Sequence, residues 1–191
     1  DYKVNIEENP EIKWQQLPDA GWPGLHAHDY INAQGNYEWI TMADDWLCNG
    51  GRVTDIHWWG NYELNAAQQE IKGAGISHFH LSIHANNTGG NCLPVDPEVW
   101  GMNVPFNSIS EQFTGILNNE SSPIYLYEFT LPVPFQQIQG TRYWLDITAV
   151  SVNPNQNPHW RWQEAVRSVP SILCGAAEKV SPVPGTWSTR Y

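Results

Sequence analysis

Ile76-Ser77-His78-Phe79-His80-Leu81-Ser82-Ile83-His84 alternates polar and apolar side chains from His78 onward. A period of two sends Phe79, Leu81 and Ile83 to one face and His78, His80, Ser82 and His84 to the other, as in a strand that buries one side. The same signature recurs outward from this stretch. Tyr2, Val4 and Ile6 alternate with Lys3 and Asn5, and the runs 39–47, 53–59, 124–131 and 143–152 are rich in β-branched and aromatic residues bounded by Gly, Pro, Asn or Asp. Asn49-Gly50-Gly51, between two of these runs, has the composition of a tight hairpin turn. Helical propensity is confined to residues 65–74 and 163–168, each short enough to be a single turn or a loop. The expected fold is all-β: an antiparallel β-sandwich, jelly-roll-like, with little helix. The expected organisation is an N-terminal strand or arm over 1–12, the sandwich over 13–175 and an extended Pro-rich tail over 176–191.

At 191 residues the chain fits one domain with a full hydrophobic core. Its formal charge of −11, with only nine Lys and Arg, argues against a nucleic-acid partner and against anionic membranes. No apolar run approaches the roughly 20 residues of a spanning helix, so membrane insertion is not expected. The first residue is Asp1, which fits a mature secreted chain whose signal peptide has been removed. Cys48, Cys92 and Cys174 allow at most one internal bridge, and their wide spacing excludes a zinc knuckle.

Eleven tryptophans stand out against nine basic residues. Indole is too large to bury cheaply many times, so part of this surplus is expected at a contact surface. The ligand-binding candidates are Trp58, Trp59, Trp160 and Trp162. Trp58 and Trp59 are adjacent on a strand, so one enters the core and the other points outward; Trp160 and Trp162 share a face. Core packing accounts for half or more of the eleven.

Other chemistry is less specified. His78 and His80 share a strand face, His57 can approach from a nearby strand, and His26 and His28 form a second His-x-His beside Asp29. His57, His78 and His80 are candidate metal ligands, but no third ligand is fixed by spacing, so hydrogen-bonded or solvent-facing histidines are the preferred reading and no metal is favoured. Asp44, Asp45, Asp55, Asp146, Glu98 and Glu164 include carboxylates that a glycosidase would need as a pair about 5 to 10 Å apart. Turn and hydrogen-bonding roles, or Ca²⁺ ligation from loops, are preferred for them. No cofactor is expected beyond that Ca²⁺ option. Gly-x-Ser-x-Gly, His-Glu-x-x-His, phosphate-loop and dinucleotide fingerprints are absent.

Five segments together resemble a family known as a domain of unknown function in exported bacterial proteins, often found with cell-surface sorting signals. They are Lys13 to Asp19, Ala43-Asp44-Asp45-Trp46-Leu47-Cys48, Val53-Thr54-Asp55-Ile56-His57-Trp58-Trp59-Gly60, Phe79 to His84, and Gly140-Thr141-Arg142-Tyr143-Trp144-Leu145-Asp146. The resemblance implies an all-β extracellular domain and no particular activity. The chain departs from it after His84, where Ala85 to Gly90 replaces a segment like Asp-Ile-Pro, and Thr189-Arg190-Tyr191 does not resemble the family's sorting signal. The functional expectation is a secreted, non-catalytic module for carbohydrate binding or adhesion, with a polysaccharide or a second copy of itself as partner. The alternatives are a self-assembling extracellular filament or matrix subunit that uses its N-terminal strand, a homo-oligomer, and a glycan-active enzyme.

Overall fold

The alternating runs pair into two sheets that enclose one aromatic-rich core. The computed structural model describes residues 17–90, 92–165, 174–180 and 185–190; the expected strand over 2–6 and the arm over 1–12 lie outside the described residues. In chain order the strands are β1 (Leu25–His26), β2 (His28–Ile31), β3 (Tyr37–Leu47), β4 (Arg52–Tyr62), β5 (Ile76–Asn86), β6 (Pro94–Pro105), β7 (Ser110–Leu117), β8 (Pro123–Gln136), β9 (Arg142–Ser151), β10 (Trp160–Trp162), β11 (Ala177–Val180) and β12 (Ser188–Thr189). One sheet runs β1-β10-β4-β8-β7, and the other runs β12-β11-β3-β2-β9-β5-β6 with an additional β3–β9 pairing. Removing β2, β7, β11 and β12 leaves β1-β10-β4-β8 against β3-β9-β5-β6. That is the order of a jelly roll, as the sequence suggested. Helix is limited to one 3₁₀ turn, Phe106–Ser108, among the described residues.

The core forms where both sheets turn their apolar positions inward. Phe79 sits edge-on to Trp58, Tyr127 and Trp160, with ring centroids 5.4, 5.4 and 4.9 Å away. Phe79 and Leu81 are fully buried and Ile83 nearly so, as their alternation predicts. Two of the polar tips are satisfied, since Trp160 Nε1 donates to Tyr127 Oη at 3.2 Å and Tyr127 Oη donates to Glu111 Oε2 at 2.9 Å, while Trp58 Nε1 is buried without a partner among the described residues.

The first strand changes sheets. β1 pairs with β10, then the chain bends at fully buried Ala27 and β2 inserts between β3 and β9. The β2–β9 pairing is parallel, so the seven-stranded sheet is mixed rather than purely antiparallel.

Two sequence expectations are corrected by long-range pairing. Asn49-Gly50-Gly51 is a turn, with Gly50 and Gly51 at φ of 106° and 74°, but not a hairpin. It carries the chain between layers, because β3 pairs with β2, β9 and β11 while β4 pairs with β8 and β10. The Pro-rich C-terminal stretch is not wholly an extended tail. β11 adds to β3 and β12 to β11, since Ala177 packs without exposure against Ala43 and Trp144. Residues 65–74 form turns, as their shortness allowed, and Asn65 Oδ1 accepts from the backbone N–H of Ala67 and Gln69.

β6 and β7 went unread because Pro94, Pro97, Pro105, Gly101 and Gly115 break their propensity. Both lie on sheet edges, where a missing ladder donor costs least. Cys92 and Cys174 form the bridge and Cys48 is free and buried.

Gly60 marks the tightest packing constraint, because a Cβ built there lies 2.5 Å from the indole of fully buried Trp160. Gly60→Ala is expected to destabilise the fold by about 1–3 kcal/mol through overpacking. A shift of the urea midpoint without a change of slope is the expected measurement. An unchanged midpoint would show that the indole can move aside.

Candidate functional site

Along β4 the positions 56, 58, 60 and 62 face the core, so Asp55, His57, Trp59 and Asn61 face outward. β8 brings Glu128 opposite His57 and Leu126 opposite Trp59, and β7 adds Ser110 opposite Glu128 and Gln112 opposite Leu126. These side chains form a linked row on the outer face of the five-stranded sheet. His57 Nε2 lies 2.8 Å from Asp55 Oδ2, and His57 Nδ1 lies 3.3 Å from Glu128 Oε1. Gln112 Nε2 donates to Ser110 Oγ at 2.8 Å and reaches Glu128 Oε2 at 3.5 Å. From Asp55 to half-buried Trp59 is four residues, or about 13 Å of extended strand.

A loop closes one end of this row. Asn61, fully buried, donates from Nδ2 to Gln163 Oε1 at 2.7 Å, and Gln163 Nε2 donates to the carbonyls of Asp19 and Trp22 at 2.7 and 2.9 Å. Asn118 Nδ2 also donates to the carbonyl of Pro23. These bonds hold the loop 19–24 against the sheet while leaving the Trp22 ring 57% exposed. Trp22 escaped the sequence reading, although its setting in Gly21-Trp22-Pro23-Gly24 marks a loop tryptophan that no strand face can bury.

Of the four candidate tryptophans, Trp58 and Trp160 are corrected: both are buried in the core and neither reaches a ligand. Trp162 shares the inward face of Trp160 and is half-buried against the core margin, so only Trp59 joins the outer row. His57 does not approach His78 and His80, because β4 and β5 belong to different sheets. His80 instead meets Asn103 Oδ1 at 2.8 Å and Glu98 Oε2 at 3.5 Å, and His78 meets Ser77 Oγ at 3.3 Å. Among the described residues no three His, Cys, Asp or Glu side chains are grouped to hold a metal ion.

The carboxylates scatter as well. Asp45 is buried, paired with Arg142 and accepting from the Cys174 N–H at 2.9 Å. Asp146 is buried beside His84 Nε2 at 2.7 Å and accepts from Ser82 Oγ at 2.5 Å. Ser82, His84 and Asp146 resemble a nucleophile relay in composition only. Serine and carboxylate share one imidazole nitrogen, and Ser82 donates to Asp146 rather than to His84, so no base is aligned to deprotonate an exposed hydroxyl. Burial pulls the His84 pKa down, but the hydrogen bond and charge of Asp146 outweigh it and leave the pKa raised. On the outer row, the imidazole of His57 fills the gap between Asp55 and Glu128 in which a glycosidic bond would have to sit.

A family model described as a domain of unknown function, DUF7901, matches residues 12–189. The chain belongs to the DUF7901 family. No curated protein and no solved structure matches it. No helix among the described residues of this DUF7901 chain is long and apolar enough to cross a membrane.

A second polar group in the DUF7901 domain lies at the strand switch. Because the bend at Ala27 moves the chain between sheets, the rings of His26 and His28 meet edge-to-face, 5.2 Å apart. Glu63 ties this end together. It lies 3.2 Å from His26 Nε2, 2.6 Å from His159 Nδ1 and 3.0 Å from Arg161 Nη2. Burial, reinforced by the charge of His26, lowers the pKa of His28 to about 4, and burial lowers that of His26 as well.

This arrangement predicts a pH-dependent stability. His28 is protonated in the unfolded chain below about 6.5 but resists protonation in the fold until about 4, so the unfolded state binds the extra proton in that window. Stability is full above 6.5 and falls as pH drops toward 4, by on the order of 3 kcal/mol. His84, with its raised pKa, acts in the opposite sense. Urea unfolding at pH 7.5 and pH 4 isolates the His28 part: His28→Gln is expected to lose less stability on acidification than the unmodified protein. Equal losses would remove His28 as the cause.

Proposed function

We propose that this domain is a secreted, non-catalytic carbohydrate-binding or adhesion module and that the outer face of its five-stranded sheet holds the glycan. The carrying observation is the outward Trp59 in line with Asp55, His57, Glu128 and Gln112, flanked by the loop that presents Trp22. An indole face accepts the C–H surface of a sugar ring, and a row of donors and acceptors spaced along a strand matches the hydroxyls of successive rings. The row carries two carboxylates on a chain of formal charge −11, which favours neutral or amino sugars over polyuronates. The Cys92–Cys174 bridge supports secretion, because disulfides persist in oxidising compartments.

A specific observation also favours the assembly reading. β7 is a sheet edge carrying Phe113, Ile116 and Leu117, each about half exposed, and an edge of this kind accepts an added strand from a second copy. The strand that would supply it, residues 2–6, lies outside the described residues.

Glycan arrays followed by calorimetry separate the two. Trp59→Ala is expected to cost about 1–3 kcal/mol of glycan binding while leaving the far-UV spectrum unchanged. A silent array, together with concentration-dependent polymers that vanish on deleting residues 1 to 9, would transfer the function to self-assembly.

A further inference from the structure

The outer side of the seven-stranded sheet is solvated only in part, around His78 and His80. Thr41, Ala43, Asp45, Ser82, His84, Trp144, Asp146 and Thr148 are all buried there, in contrast to the open row on the other sheet. At one end of this side a cleft of about 410 Å³ opens between the start of β6 and the β11–β12 segment, with walls that include Asn87, Leu93, Asp96, Lys179 and Trp187. Its size falls within the range of small-molecule sites.

The walls are held in place. The Trp187 ring stands edge-on to the buried imidazole of His84, 5.4 Å between centroids, and His84 Nδ1 is itself fixed 3.0 Å from the carbonyl of Val95. The Lys179 ammonium lies 2.6 Å from Asp96 Oδ2 and over the faces of Trp39 and Trp187, at 5.2 and 5.6 Å from their centroids. The disulfide clips both sides together, since Cys92 precedes Leu93 on one wall and Cys174 leads into β11 on the other.

The chemistry selects the ligand. Lys179 and Asp96 neutralise each other, so an anion meets the repulsion of the Asp96 carboxylate and a cation meets an aromatic site that Lys179 already fills. One acceptor remains available. Asp96 is 47% exposed, and its Oδ1 accepts one long hydrogen bond from Trp187 Nε1 at 3.4 Å, with His84 Nδ1 3.7 Å away, which leaves the oxygen a lone pair for a further donor. A carboxylate oxygen that accepts hydroxyls, beside an indole and the apolar Leu93, fits an uncharged polyhydroxylated ring. We infer that this cleft is a second binding site, for a neutral sugar residue, on the opposite side of the sandwich from the Trp59 row. The inference extends the carbohydrate reading but stands on separate residues, so each can fail without the other.

The test uses the full oxidised chain titrated with glucose, galactose, N-acetylglucosamine and cellobiose, with glucuronate and glucosamine as charged counterparts, while the indole N–H resonances of Trp187 and Trp59 are followed by NMR. Neutral sugars are expected to shift the Trp187 signal saturably. Trp187→Ala is expected to weaken that binding on the order of tenfold or more. Thr186→Trp, which fills the cleft from an exposed wall position, is expected to block it without disturbing His84. Trp59→Ala is expected to leave it intact, and reducing the disulfide is expected to weaken it. If sugars move Trp59 but not Trp187, or if glucuronate or glucosamine binds the cleft better than the neutral sugars, the inference is overturned while the Trp59 row stands. If Trp187 responds and Trp59 does not, the cleft stands and the outer-row reading falls; silence at both indoles removes both.

Discussion

The contact on which the rest depends is Phe79 held between the sheets by Trp58, Tyr127 and Trp160. Four strands contribute to this cluster, so it fixes the register of β4, β5, β8 and β10 at once. Slipping β4 by one residue would bring Trp59 inward and put Trp58 and Tyr62 into water. The composition of the outer row is therefore a by-product of core packing: Trp59, His57 and Asp55 face outward because Trp58 and Ile56 cannot. Gly60 belongs to the same constraint, since the Trp160 indole occupies the volume that any side chain there would need.

The two outer faces then diverge for a topological reason. Among the described residues the five-stranded sheet is covered at one end, by the loop 19–24 that Asn61 and Gln163 hold down. The seven-stranded sheet buries polar groups on its outer side, including Thr41 bonded to Thr148 at 2.6 Å and the Ser82–His84–Asp146 group. Such groups are tolerated because they are paired with one another; a buried hydroxyl or carboxylate without a partner would cost far more than its hydrogen bond returns. That side carries a shallow cleft at one end, whereas the other offers an open row.

Covalent closure reinforces the division. Cys92 and Cys174 are 82 residues apart in sequence, and their bridge joins the loop before β6 to the segment leading into β11. It fixes the late strands β11 and β12 beside β3, and with them Lys179 and Trp187. Both proposed sugar contacts thus rest on indoles positioned by rigid neighbours, Trp59 by the sheet and Trp187 by His84 and the bridge. Such preorganisation lowers the entropy lost on binding.

Much of the architecture was legible in the chain alone. Period-two patterning identified Phe79, Leu81 and Ile83 as inward, paired Trp58 and Trp59 on opposite faces, and made the domain an all-β sandwich, because the alternation of side chains along a strand is a local property of extended backbone. Among the strands that escaped, β6 and β7 carry proline and glycine that an edge tolerates and a central strand does not, and β1, β2, β10, β11 and β12 are two to four residues long, too short to show a period. Trp22 was overlooked because a loop has no period. What only the tertiary structure decided was partnership. Asn49-Gly50-Gly51 turns the chain as its glycines dictate, but whether the strands on either side pair depends on which distant strands bury them best. The same long-range choice put His57 and His78 on different sheets and brought Leu93, Asp96, Lys179 and Trp187 around one cleft. Local sequence encodes which way a side chain points from its strand; which neighbour it meets is set by the summed burial of the whole core.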